Sequence, residues 1–273
     1  QLLYLSPEKL ISVSNTWLRE LNIKLVAVDE AHCVSMWGHD FRPEYTQLKN
    51  FRNSLPEVPF MALTATADKS ARKDIEQQLG LRKSKLFISS FDRKNLSIEV
   101  KGMVPKKQKL QEIKRFIKSK KGEGGIIYCL SRKNTEEVSA YLEVEGLSVA
   151  HYHAGMNAED REEVQTKFIN DDIKIIVATI AFGMGIDKPN VRWVIHYNLP
   201  KNLEGYYQEI GRAGRDGLPS DTILYYNMAD FLMYNKFADN GANSGMQKEK
   251  LNRMLQFAEA KSCRRKILLS YFG

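Results

Sequence analysis

An α/β fold of two parallel-sheet lobes with a helical tail is what the sequence predicts, and three observations predict it. Short apolar runs alternate with amphipathic stretches along most of the chain, the rhythm of parallel βαβ units covered on both faces. That rhythm loosens once, around Phe91-Asp92-Arg93-Lys94-Asn95, and resumes in a second series. Beyond Asn227 the strand-like runs stop, and residues 247–272 read as helical with Leu251, Met254, Leu255 and Ala258 as an inner stripe. With 273 residues, 43% hydrophobic and 27% charged, the chain has ample core for about two domains. The expected divisions are 1–95, 96–227 and 228–273.

In the first lobe, residues 2–5 read as a short buried strand. Ser6-Pro7-Glu8 then begins a helix with a capping hydroxyl, a proline at the first helical position and an early acid. Such a start also suits a phosphate. Residues 25–28 and 60–63 are the next strands, the second ending in Thr64-Ala65-Thr66 before a helix capped by Asp68, with Ala71, Ile75 and Leu79 on its apolar side. A lysine-rich helix after Gly102-Met103-Val104-Pro105 opens the second series. Its Leu110, Ile113 and Ile117 share a side, whereas Lys107, Lys114, Lys118 and Lys121 lie largely opposite, more a solvated face than a nucleic-acid patch. Strands follow at 125–129, 149–152, 173–178, 191–196 and 222–226, with one helix ending near Gly146 and another capped by Asn157. No close repeat relates the halves, so two similar lobes with a cleft between them is the economical arrangement.

A formal net charge of +8 favours a polyanionic partner, nucleic acid more than membrane, since no long apolar span or basic amphipathic anchor occurs. Cys33, Cys129 and Cys263 form neither disulfide-like nor metal-ligand spacing among themselves, which suits a reducing cytosol. Because the chain opens at Gln1 rather than a methionine, the lack of a targeting signal carries no information.

Three stretches carry chemistry. Val26-Ala27-Val28-Asp29-Glu30-Ala31-His32 is an apolar run delivering two carboxylates to a sheet edge, where one acid can hold Mg²⁺ while its neighbour deprotonates a water attacking a γ-phosphate. The same pair also suits the cap of a following helix. Tyr206-Tyr207-Gln208-Glu209-Ile210-Gly211-Arg212-Ala213-Gly214-Arg215-Asp216-Gly217 sets two arginines among small residues, fit for forked contact with phosphate. Facing the Asp29-Glu30 edge they are expected to act as arginine fingers on ATP; the alternative is a surface ion-pair turn using Glu209 and Asp216. Phe182-Gly183-Met184-Gly185-Ile186-Asp187 brings glycines to a strand end, either for backbone contact with phosphate or as a plain turn.

Together, Asp29-Glu30-Ala31-His32, the loop Trp37-Gly38-His39-Asp40-Phe41-Arg42-Pro43-Glu44-Tyr45, Ala62-Leu63-Thr64-Ala65-Thr66-Ala67, Phe182 to Ile186 and Gln208 to Gly217 resemble the motifs of superfamily-two helicases of the RecQ type, a DEAH-box group. Order and spacing match across nearly the whole chain, and the Trp37 to Tyr45 loop is the most family-specific part. The resemblance implies two RecA-like lobes, the first truncated at its N-terminus, followed by the helical start of a zinc-binding subdomain. It implies a bacterial, cytoplasmic, nucleoid-associated motor that uses ATP and Mg²⁺ to move 3′ to 5′ on single-stranded and forked DNA in repair and recombination.

By the same resemblance Asp29 binds Mg²⁺ and Glu30 is the catalytic base, while Gln208, Arg212 and Arg215 complete the catalytic set, with Arg215 as the arginine finger. His32, Gly185 and Asp187 join Asp29, Arg212 and Arg215 around the nucleotide. Trp37, His39, Phe41 and Arg42 touch single-stranded DNA, as do Ser6, Thr64, Thr66, His153 and Thr179, with Thr64 and Thr66 also coupling the two sites. The physical case for the aromatic loop stands beside this, since stacking on aromatics tolerates any base; the alternative is an aromatic cluster packed as core.

Two departures stand out. No Gly-x-x-x-x-Gly-Lys-Ser/Thr occurs in the 273 residues, so the chain as given is expected to bind ATP poorly and hydrolyse almost none. Cys263 matches the first ligand of a four-cysteine zinc module whose other ligands are absent, so zinc is expected only if cysteines follow Gly273. A nucleic-acid-binding or regulatory module without motor activity is the alternative function.

Overall fold

Apolar runs and capped helices assemble into two units, residues 1–91 with 269–273 and residues 92–268. The structure is a computed structural model and describes residues 1–13, 17–35, 41–183, 186–238 and 244–273. In the first unit α1 (Pro7–Val13) precedes β1 (Val26–Val28), α2 (Pro43–Thr46), α3 (Leu48–Ser54), β2 (Phe60–Ala62) and α4 (Lys69–Gln78). β1 and β2 pair in parallel, Val28 opposite Ala62. The start of α4 forms where expected because the Asp68 carboxylate accepts from Ala71 N–H at 2.7 Å, and Ala71, Ile75 and Leu79 bury against Val28, Ala31 and Val34. Ile75 and Leu79 each contribute about 1.5–3 kcal/mol by this burial.

Residues 2–5 are not a strand. Leu2 and Tyr4 are 85% and 86% exposed, and no strand of the β1–β2 sheet lies alongside to take up their backbone hydrogen bonds. An apolar run becomes a strand only by pairing.

The second unit contains β3 (Leu96–Gly102), α5 (Lys106–Ser119), β4 (Gly125–Tyr128), α6 (Arg132–Val144), β5 (Val149–Tyr152), α7 (Ala158–Ile169), β6 (Ile175–Ala178), β7 (Trp193–His196), α8 (Leu203–Ile210), β8 (Ser220–Tyr226), α9 (Met228–Ala238), α10 (Ser244–Glu259) and the start of α11 (Arg264–Phe272). Its six strands are all parallel in the order β3-β8-β7-β4-β6-β5. β4, β6 and β7 are buried throughout, as a sheet covered on both faces requires. The chain leaves the β5–β6 side and crosses β4 to build β7 and β8, so the order reverses at β4. Ligands bind beyond the carboxyl ends of strands at such a switch point.

Three features of this unit lie outside what the sequence pattern predicts. β3 follows directly on the loosened stretch 91–95 and pairs at the sheet edge with β8. Residues 247–272 are helical as expected and divide into two helices, with the Arg264 guanidinium donating to the Ala258 carbonyl at 3.1 Å at the end of α10. Lys109 is buried on α5, its ammonium donating to Tyr197 O at 2.8 Å over the Tyr197 ring, and burial lowers its pKa.

Candidate functional site

The carboxyl end of β1 presents the acidic pair. Asp29 is exposed, and its Oδ1 accepts from Glu30 N–H at 2.8 Å. Glu30 sits at φ 47°, ψ 40°, the left-handed region, which costs a non-glycine residue on the order of 1 kcal/mol. The conformation is fixed from the other side by Ala31 N–H donating to Leu63 O at 2.8 Å, just beyond β2.

His32 follows on a short 3-10 turn, Ala31–Val34, and is buried. Its Nδ1 lies 3.2 Å from Glu30 Oε2 and 3.0 Å from Thr64 Oγ1, so a proton there serves both the carboxylate and the hydroxyl. Thr64 Oγ1 also accepts from Thr66 N–H at 3.3 Å. Glu30, His32, Thr64 and Thr66 therefore form one hydrogen-bonded chain from the carboxylate into the loop after β2.

Arg42 N–H donates to Cys33 O at 2.9 Å, setting the Phe41-Arg42 end of the aromatic loop beside the His32 turn. Phe41 is exposed and Arg42 half-buried. Burial pushes the Tyr45 phenol up to about 12, with Cys33 and, more weakly, Glu30 and Asp29 adding to the rise against Arg42. Ser6 Oγ accepts from Lys9 N–H at 3.3 Å at the start of α1. The neighbouring Glu8 carboxyl is held below its ordinary range by its own backbone N–H and by the Ser6 hydroxyl, with Arg42 adding.

In the second unit Tyr128 is the last residue of β4, flanked across the switch point by Ala178 and His196. Its hydroxyl donates to Phe182 O at 2.9 Å, and its ring stacks on His196. Burial raises the phenol pKa, and the Arg212 guanidinium beside it opposes the rise. A Cβ on Gly183 would stand 2.9 Å from Arg212 Nη2, so the glycine permits the arginine its close approach. Arg212 Nε is buried and has no hydrogen-bond partner among the described residues.

The expected ion-pair alternative distributes otherwise. Glu209 binds His196 Nε2 at 2.7 Å, and Asp216 takes Arg192 Nη2 at 2.6 Å on each oxygen. Arg215 instead pairs with Asp187 at 2.8 Å, an exposed contact with Asp187 87% accessible. Such an exposed pair is worth about 0–1 kcal/mol. Gln208 is half-buried on α8.

Thr179 lies just past β6, its N–H donating to Tyr152 O at 3.1 Å and its Oγ1 accepting from Ala181 N–H at 3.4 Å. His153 is buried. Its Nδ1 accepts from Gly155 N–H at 3.2 Å, which puts the proton on Nε2, 3.0 Å from Glu136 Oε1. Trp37, His39 and Gly185 lie outside the described residues.

Arg93, Asn95, Tyr128 and His196 belong to the surroundings of these residues without any local sequence signal that marks them. Arg93 donates to the carbonyls of Gly211, Ala213 and Gly214 at 3.3, 2.9 and 2.8 Å, and Asn95 Nδ2 to those of Gly214 and Leu218 at 2.9 Å each.

In the first unit an exposed carboxylate at a strand end and a second carboxylate braced by histidine suit a divalent cation; in the second unit the Arg212 guanidinium suits a phosphate oxygen. Among the described residues no three histidine, cysteine or acidic side chains converge, and Cys263 is exposed at the start of α11. The amides of Lys266 and Arg265 hold its thiol below the ordinary range. Among the described residues no helix is long and apolar enough to cross a membrane.

Comparison with known proteins gives three family matches: DEAD/DEAH box helicase over residues 1–75, helicase conserved C-terminal domain over 108–217, and RecQ zinc-binding over 226–273. Over its whole length the chain is 46% identical to the ATP-dependent DNA helicase RecQ of Pasteurella multocida, of which it spans 43%. It is 47% identical to the ATP-dependent DNA helicase hus2/rqh1 of Schizosaccharomyces pombe, of which it spans 21%. Among solved structures, S. cerevisiae Dbp5 bound to RNA and ADP BeF3 matches 92% of this chain and 68% of its own, with a TM-score of 0.62 and 18% identity, a likeness of fold.

Proposed function

The chain belongs to the RecQ family of superfamily-two helicases, and we propose on that premise that it is the motor portion of an ATP-dependent DNA helicase. The observation that carries this reading is the hydrogen-bonded chain from Glu30 through His32 to Thr64 and Thr66. Asp29 is the carboxylate suited to Mg²⁺, which when bound neutralises developing phosphate charge. Glu30 accepts the proton of the attacking water, and His32 holds the carboxylate in orientation. Arg212 and Arg215 supply charge to the transferring phosphoryl group, with Asp187 keeping Arg215 extended until it is exchanged.

On the nucleic-acid side Phe41 offers a stacking face, Arg42 and Ser6 backbone contacts, and Trp37 and His39 further ones. Thr179 contributes its hydroxyl, and His153 orders the 153–156 turn. Movement of the aromatic loop on DNA reaches Glu30 through the shared His32 turn, which makes hydrolysis DNA-dependent. Translocation is 3′ to 5′ on single-stranded and forked DNA, in the bacterial cytoplasm at the nucleoid. The functional parts are residues 1–95, 96–227 and 228–273.

The test is Glu30→Gln in the full-length protein. Single-stranded DNA binding is expected to persist while DNA-stimulated ATP turnover falls at least about 100-fold, the scale of general-base catalysis. Near-normal turnover rejects Glu30 as the base, and stronger stimulation by RNA than by DNA rejects the substrate. A second reading, a binding module without motor activity, has the missing Gly-x-x-x-x-Gly-Lys-Ser/Thr in its favour; it predicts no DNA-stimulated turnover even in the unaltered full-length protein.

A further inference from the structure

The loop carrying Arg212 and Arg215 is gripped by groups far away in the chain. Arg93 spreads its guanidinium over three carbonyls of that loop, those of Gly211, Ala213 and Gly214. Asn95 adds a bond to Gly214 O and another to Leu218 O. Gly214 stands at φ +57°, and a Cβ there would come within 2.4 Å of Asn95 Nδ2, so loop and grip are fitted to each other. Arg93 is held in turn. Arg265, at the start of α11, donates through Nη1 to Asp92 Oδ1 and to Arg93 O, each at 2.7 Å, and through Nη2 to Leu96 O. Every member of this series lies in the unit of residues 92–268.

We infer that Arg93 and Arg265 form a positioning relay, in which the start of α11 fixes the 92–96 segment and that segment fixes the arginine loop. The inference rests on the proposed ATPase reading and deepens it: Arg93 and Arg265 act through Arg212 and Arg215, as positioning residues. Only guanidinium makes the relay, because each arginine serves several acceptors at fixed angles. Lysine keeps the charge but places a single ammonium, which cannot span them. Since Cys263 stands two residues before Arg265, whatever orders the start of α11 sets the reach of the arginine loop.

The test uses the full-length protein with Arg93→Lys, Arg265→Lys and the double variant, and two readouts. DNA-stimulated ATP turnover at saturating ATP is expected to fall about tenfold or more in each single variant, with the ATP KM and the melting temperature nearly unchanged. The double variant is expected to lose no more than Arg93→Lys alone, as two steps of one relay do. Independently of activity, amide hydrogen exchange at residues 211–218 is expected to quicken in both single variants. Unchanged exchange at 211–218 in Arg265→Lys overturns the relay, as does strictly multiplicative loss in the double variant. Quickened exchange in the two single variants, with no DNA-stimulated turnover in the unaltered protein, upholds the relay while rejecting the ATPase reading.

Discussion

Lys188 keeps its ammonium almost wholly out of water, 3.1 Å from the Asp171 carboxylate and 3.2 Å from Ile169 O. The Asp171 carboxyl is held below its ordinary range, first by the Lys174 hydrogen bond and then by Lys188, against the opposing effect of burial. A carboxyl with a depressed folded pKa contributes stability above its unfolded pKa and loses it as pH falls through the folded value. Asp171→Asn is therefore expected to cost about 1 kcal/mol at pH 7, discounted for the exposed side of the carboxylate. The difference from the unaltered protein shrinks as pH drops below about 3.9, the unfolded value. Asparagine tolerates the backbone here, at φ 67°, so urea midpoints at pH 7 and pH 3 read the charge alone. For nucleic acid, Phe41→Ala in the full-length protein is expected to weaken single-stranded DNA binding by about 1–3 kcal/mol, measured by fluorescence anisotropy; unchanged affinity means the ring does not stack. At this scale, what is adjacent in sequence was legible: Asp29, Glu30 and His32 lie within one turn. Arg93 and Asn95 were not, because their partners stand 118 to 123 positions later and no local pattern records such a bond.

Helix starts were legible because a cap is a local event. Asp68 and Asn157 each accept the amide three residues on, at 2.7 Å in both cases. Central strands were legible as continuous apolar runs. β3 has no continuous apolar run: Leu96, Ile98 and Val100 alternate with Ser97 and Glu99, the pattern of a half-exposed edge strand, and only a search for alternation finds it. Residues 2–5 show the converse, an apolar run without a neighbouring strand. Gly125 marks how tightly the middle of the sheet is built. It lies opposite Trp193, and a Cβ there would fall 2.0 to 2.3 Å from three atoms of the indole. Gly125→Ala is expected to lower stability by about 1–3 kcal/mol or more, as overpacking does, with calorimetric melting as the check. An unchanged melting temperature would mean that Trp193 moves aside without loss.

At the scale of the whole chain, the net charge of +8 and the missing phosphate-cradle motif make separable predictions. Residues 1–273 alone are expected to retain salt-sensitive DNA binding, with log affinity falling linearly against log salt. They are expected to show no DNA-stimulated ATP turnover above background in a phosphate-release assay. Turnover by the chain itself would mean that the cradle is supplied by residues without that motif. The sheet of the second unit has a consequence for synthesis. β3 emerges from the ribosome early, yet its hydrogen-bonding partner β8 is made almost last, Leu96 pairing with Ser220 and Gly102 with Tyr226. Until then β3 is an unsatisfied edge, open to neighbouring nascent chains. The sheet closes in a single late step, after translation has passed Tyr226, so a polypeptide halted before that point carries nearly every strand of the unit and still lacks its edge.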